Sequence, residues 1–140
     1  MTTTMHASGT FTVAAFAPVD PPLDTGVETA VSVAVVRMEK HFTGEVAGRS
    51  TTVFTYALDH GTEIGGYVAM ESFDGVLGGR SGTFNFSHSA TTVGEDRSDE
   101  SFTIIPSSGA GELAGISGSG GIAVDADGTH RIWFDYRLPE

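Results

Sequence analysis

Five titratable side chains fall where strand alternation would turn them toward a protein interior: Lys40, Glu71, His88, His130 and Tyr136. A lysine or glutamate leaving water shifts toward its neutral form unless it is paired, and isolated burial of either is costly. Such groups can form an internal ion pair, sit at a wet mouth, or act as acid and base on a ligand. In the catalytic reading Glu71 or His88 moves a proton, while Lys40 or Tyr136 stabilises developing negative charge. The structural reading of the same residues is a satisfied network of hydrogen bonds inside the fold.

Those positions follow from the period-2 pattern of β-strands. On one predicted strand Ala34, Val36, Met38, Lys40 and Phe42 share a face against Arg37, Glu39 and His41, so the apolar set carries Lys40 inward. On another, Phe84, Phe86 and His88 oppose Asn85, Ser87 and Ser89. On the last, His130, Ile132, Phe134 and Tyr136 oppose Arg131, Trp133, Asp135 and Arg137. The strand with Tyr67, Ala69, Glu71 and Phe73 is mixed on both faces, because Val68 and Met70 stand opposite. The expected lining of a ligand cavity is Met38, Tyr67, Phe84, Phe86, His130 and Phe134. Trp133, between charges on the outer face, would suit a contact between copies of the chain.

Nearly every segment of the 140 residues reads as strand. The expected elements are Thr10–Phe16, Ser32–Phe42, Val46–Leu58, Ile64–Phe73, Thr83–Thr91, Phe102–Ile105, Ile122–Asp125 and Thr129–Leu138. Pro21 and Pro22 make Asp20–Asp24 an irregular loop. Thr43-Gly44-Glu45, Asp59-His60-Gly61 and Asp127-Gly128 read as tight turns, and Gly94–Asp99 reads as a polar surface loop. Glycine-rich passages cover Gly75–Gly82 and Ser107–Gly121, with one short turn expected near Glu112–Ala114. They contain a repeat of the form L-x-G-x-S-G, Leu77–Gly82 and Leu113–Gly118, which reads as glycine permitting tight, positive-φ backbone. The expected fold is all-β, a single eight-stranded antiparallel barrel spanning residues 1–140, with closure removing the unpaired edges.

Charge and composition exclude several functions. A formal charge of −11 with only seven Lys and Arg opposes binding to a nucleic-acid backbone or an anionic membrane face. Without cysteine there is no disulfide, thiolate nucleophile or cysteine zinc site. The five histidines show no H-x-H or H-E-x-x-H spacing, so no metal site is expected. Neither a phosphate-cradling glycine motif nor G-x-S-x-G occurs, because Ser81 and Ser117 are followed directly by glycine. Met1–Pro18 lacks a basic leader with an apolar run, and no segment approaches the ~20 apolar residues of a membrane span. The expected location is cytoplasmic.

The segment Gly109-Ala110-Gly111-Glu112-Leu113-Ala114-Gly115-Ile116-Ser117-Gly118 resembles the G-x-G-x-[LF]-x-G-x-x-G stretch of allene oxide cyclases and dirigent proteins. More of the chain is similar to a bacterial domain-of-unknown-function family of that barrel superfamily, at Ala7–Val13, Arg37–Gly44, Gly66–Ser89, Ile104–Gly118 and His130–Leu138. The resemblance implies an allene-oxide-cyclase-like barrel and, by analogy with superfamily members, isomerase or cyclase chemistry in natural-product biosynthesis. No catalytic residue is carried over from it. Three readings then stand side by side. The first is a cofactor-independent isomerase or cyclase acting on a small, largely apolar organic molecule inside the barrel. The second is a non-catalytic binding protein for such a molecule, and the third a structural, oligomeric barrel with a filled interior.

Overall fold

Long alternation of apolar and polar residues, broken by glycine and acidic turns, gives strands and, among the described residues, no helix. The computed structural model describes residues 3–139; Met1 and Thr2, the first two residues of the segment Met1–Pro18 expected to carry no basic leader, and Glu140 lie outside the described residues. Among the described residues no helix is long and apolar enough to cross a membrane. The elements are β1 (Met5–Pro18), β2 (Val33–Gly44), β3 (Val46–Asp59), β4 (Ile64–Leu77), β5 (Arg80–Val93), β6 (Asp96–Ile104), β7 (Ala110–Gly111), β8 (Ser117–Val124) and β9 (His130–Arg137).

They form one antiparallel sheet in the order β4-β3-β2-β1-β9-β8-β6-β5-β7, and β4 also pairs with β5. That last pairing closes a ring of hydrogen bonds through every strand except β7. The two-residue β7 takes up the β5 edge at Gly82 and Thr83, beyond the stretch that β6 covers from Phe86 to Val93. The expected count of eight strands therefore becomes nine, and the ninth is a short patch on an edge that would otherwise lie bare. The joints differ in strength: β4 and β5 pair from Ile64↔Val93 to Leu77↔Arg80, whereas β6 and β8 share the single bridge Thr103↔Ser119.

The first glycine-rich passage turns out to be largely strand, and the second is strand at Ala110–Gly111 and from Ser117 onward. Gly78 and Gly79, at φ 56° and 86°, make a two-residue hairpin, so β4 continues to Leu77 and β5 begins at Arg80. Gly82 allows the second passage to approach: a Cβ there would lie 2.2 Å from the Ala110 carbonyl. The two copies of the L-x-G-x-S-G repeat thus pack on one another, and Leu77 and Leu113 are both fully buried. Residues 112–115 form turns, as the short turn near Glu112–Ala114 anticipated.

The segment read as a surface loop at Gly94–Asp99 requires the larger correction. Only a tight turn at Gly94 and Glu95 is irregular, and β6 starts at Asp96. Within β6 the register slips, with Ser89 opposite Ser101 but Thr91 opposite Ser98, so β6 carries one extra residue. Such a bulge reverses the alternation beyond it. β1 has a matching slip between Val13, opposite Lys40, and Ala15, opposite Glu39.

The interior divides into two levels. Phe73, Leu77, Phe84, Phe86, Ile132 and Phe134 belong to the large cluster at the β4–β5 hairpin end, joined by Leu113 and Ile116 from the irregular segment 105–116. Phe134 meets Phe84 and Phe86 edge-on at centroid distances of 5.5 and 5.2 Å. Toward the other end lies a smaller cluster of Tyr67, Ala69 and Ala90 with Phe54 and Tyr56. Trp133 is half-buried on the outer face, over Gly121 of β8, where a Cβ would meet its ring at 2.2 Å.

Candidate functional site

Between the two levels, four neighbouring strands bring together a buried polar chain. Lys40 on β2, Ser50 on β3, Glu71 on β4 and His88 on β5 all face inward at 5%, 2%, 0% and 4% exposure. Register explains the meeting. Lys40 stands opposite Ser50, and Glu71 is flanked by Thr52 on one side and Phe86 on the other, so Lys40 and His88 reach it diagonally. Lys40 Nζ donates to Glu71 Oε2 at 2.7 Å, and Ser50 Oγ donates to Oε1 at 2.8 Å. His88 Nε2 also donates to Glu71 Oε2.

The chain continues from His88. The Tyr67 hydroxyl donates to His88 Nδ1 at 2.8 Å, and Arg97 Nη2 donates to the Tyr67 oxygen. Arg97 Nε in turn holds Glu100 Oε1 at 2.8 Å. With His88 neutral, both hydrogen bonds of its ring are satisfied: Nε2–H faces the carboxylate and the Nδ1 lone pair faces the phenol. The electrostatics agree. Burial alone would raise the Glu71 carboxyl, but the His88 hydrogen bond and the Lys40 charge outweigh it and hold the pKa at about 2. Burial pushes His88 below the usual histidine value against the opposing pull of Glu71. Burial raises the Tyr67 hydroxyl, with Arg97 opposing.

This chain opens into a cavity of about 220 Å³, whose walls include Lys40, Phe54, Tyr67, His88, Arg97 and His130. Met38, Phe54, Tyr67 and Thr92 also line an apolar groove of about 470 Å³ that runs outward past Phe16, Tyr56 and Leu58. Together the two approach the size of small-molecule sites, ~300–1,000 Å³, with apolar walls and few polar groups. A wider hollow of about 710 Å³ is lined by residues 22–33 alone, the connection between β1 and β2 folding on itself. Both bulges serve the cavity: each restores an inward face beyond the slip, bringing Arg97 opposite Thr92 and Phe16 opposite Met38.

Among the residues expected from sequence, Lys40, Glu71 and His88 meet, and Tyr67, Met38 and His130 line the same cavity. His130 lies against Phe11, with ring centroids 5.1 Å apart. Phe84, Phe86 and Phe134 face inward but are fully packed in the large cluster, where they support the site from below. Tyr136 is buried at the far end beside the β4–β5 hairpin, where a Cβ on Gly78 would touch its hydroxyl, so it does not join Glu71 and His88. Sequence reasoning missed Ser50, Phe54 and Arg97. The signal for Ser50 was present, since alternation from Val46 to Leu58 puts Ser50, Thr52 and Phe54 on one face. Arg97 had none short of locating the bulge. Among the described residues no three His, Cys, Asp or Glu side chains gather as a metal site.

Residues 7–136 match the family described as "Protein of unknown function (DUF3224)". The fold is similar to the crystal structure of a protein with unknown function from that family, from Shewanella oneidensis MR-1. The TM-score is 0.83 at 28% sequence identity, covering 99% of this chain and 100% of the other. No curated protein matches the chain.

Proposed function

We propose that this chain, which belongs to the DUF3224 family, is a cofactor-independent isomerase or cyclase for a small, largely apolar organic molecule held inside an allene-oxide-cyclase-like barrel. The closed ring of strands supports the barrel half of this reading. The chemistry rests on one observation: the series Glu71, His88, Tyr67, Arg97 is hydrogen-bonded link by link and its last three members line the cavity.

The series works as a proton shuttle. A substrate C–H proton passes to the Tyr67 oxygen as the Tyr67 hydroxyl proton passes to His88 Nδ1, and the C–H electron pair moves into the substrate as an enolate. The new imidazolium faces the Glu71 carboxylate, and Lys40 stabilises the enolate oxygen. Concerted transfer avoids a free tyrosinate, which the raised Tyr67 pKa disfavours. Return of the proton to a different carbon yields an isomer and restores every residue. Glu71 is then a positioning residue: a carboxyl held at about 2 is a poor base at neutral pH, but it fixes the His88 tautomer.

The test is to extract the organic molecules that co-purify with the native protein and return them to it in D2O under mass spectrometry. Deuterium on carbon, or an isomer of unchanged mass, is expected, with at least a tenfold loss in Tyr67→Phe. A discrete compound that binds but stays unaltered would make the protein a carrier and end the enzyme reading.

A further inference from the structure

We infer that the molecule taken by this cavity is electrically neutral and presents a carbonyl-type oxygen to Lys40. This rests on the proposed pocket and goes beyond it by fixing the ligand's charge class. The charged groups around the cavity are already matched one to one. Lys40 from β2 pairs with Glu71 from β4 at 2.7 Å, and Arg97 pairs with Glu100, both from β6, at 2.8 Å. His88 from β5 accepts from Tyr67 at Nδ1 and so carries no charge. A carboxylate or phosphate would arrive without a counter-charge, in an apolar space inside a chain of formal charge −11. Burying an unmatched charge of that kind is strongly unfavourable.

Hydrogen-bonding capacity points the same way. The Glu71 oxygens are occupied by Lys40, Ser50 and His88, which leaves little to receive a ligand hydroxyl. Donors, by contrast, remain. An ammonium has three N–H groups, and among the described residues that of Lys40 makes one hydrogen bond while lying 4.9 Å from the Phe11 ring centre. The Thr52 hydroxyl is fully buried with no partner among the described residues, and Thr52 stands on β3 directly between Met38 and Glu71. A buried polar atom is rarely left unsatisfied, and an oxygen acceptor beside Lys40 would answer it. A ketone or aldehyde oxygen on an apolar skeleton meets these conditions.

Near-isosteric probe pairs test this at pH 8. They are 4-phenyl-2-butanone against 3-phenylpropanoate and cyclohexyl methyl ketone against cyclohexanecarboxylate, with ethylbenzene as the uncharged hydrocarbon. Affinities are read by calorimetry and by the NMR signals of the His88 and Tyr67 rings. The ketones should bind at least tenfold more tightly than their carboxylate partners. Thr52→Val, which keeps shape and loses the hydroxyl, should weaken ketone binding at least threefold and leave ethylbenzene unchanged. Carboxylates binding as well as ketones would overturn the neutral-ligand inference and leave the pocket intact. Unchanged ketone affinity in Thr52→Val would overturn the placement of the oxygen. If the ketones, carboxylates and ethylbenzene all fail to bind, the pocket reading falls together with the inference.

Discussion

The two levels of the ring are made from the same strands yet solve opposite problems. Toward the β4–β5 hairpin, Phe73, Phe84, Phe86 and Phe134 fill the interior at 1% exposure or less, with Leu113 and Ile116 from residues 105–116 packed among them. Toward the far end Phe54 stacks on Tyr67 at 4.8 Å along one wall, a cavity stays open beside them, and the polar series fills the boundary between the levels. The packed level fixes the spacing of the strands. The open level can then hold four charged or polar side chains at hydrogen-bond distance, because the backbone beneath them is not free to adjust. The packed core and the buried polar series are therefore assigned to different heights of one sheet.

The largest effect should come from breaking the packed level. Phe134 makes edge-on contacts with Phe84, Phe86 and Phe102. Truncation to alanine removes three ring contacts and leaves a void, a loss of ~3–5 kcal/mol in large core aromatics. Phe134→Ala should lower the urea midpoint accordingly. A change below ~1 kcal/mol would mean that this level collapses easily and does not set the strand spacing.

A somewhat smaller effect is expected when acid breaks the polar boundary. Glu71 has its carboxyl lowered from 4.5 to about 2, so the unfolded chain binds its proton first as pH falls. That contribution is fully present above 4.5 and is lost as pH drops toward 2, an amount on the order of 3 kcal/mol. His88 is lowered from 6.5, so below that value the unfolded chain again gains the proton first and stability falls with pH. Both groups push in the same direction. Urea unfolding from pH 8 down to pH 3 should show stability declining in two stages, and Glu71→Gln should shrink the lower one to the part that Asp59 and Asp127, also lowered, contribute. Full retention of that stage in the variant would place the acid sensitivity elsewhere.

The packed level was more legible in the sequence than the open one. Alternation on β2, β5 and β9 showed which side chains turn inward, and the aromatic residues among them could go nowhere else. The β4 faces looked alike because Val68 and Met70 stay at 62% and 45% exposure on the outside, where a strand tolerates apolar residues. Alternation also says nothing about height. Tyr136 and Glu71 both face inward, but register with the neighbouring strands puts them at different levels, and register is a long-range property. Arg97 was hidden by a different mechanism: one extra residue in β6 reverses the parity of everything beyond it, and the surrounding Glu95, Asp96, Asp99 and Glu100 look like a solvated turn. The resemblance to a bacterial family of unknown function agrees with the family matched over residues 7–136, and gave no site residue.

The smallest effect on stability separates the two levels most sharply. Phe16 is as large as Phe134, yet it is 54% exposed at the rim of the apolar groove, and it reaches that position only because of the bulge in β1. More than half of it stays in water after folding, so Phe16→Ala should lower the unfolding free energy by about 1 kcal/mol or less, well short of Phe134→Ala. A ligand that occupies the groove would cover that ring, so the same substitution should weaken binding of an aromatic ketone by severalfold. Calorimetric titration of Phe16→Ala with 4-phenyl-2-butanone, beside its urea curve, gives both numbers. Equal losses in stability and binding would show that the rim is a continuation of the core, and the division between a level that holds and a level that binds would be wrong.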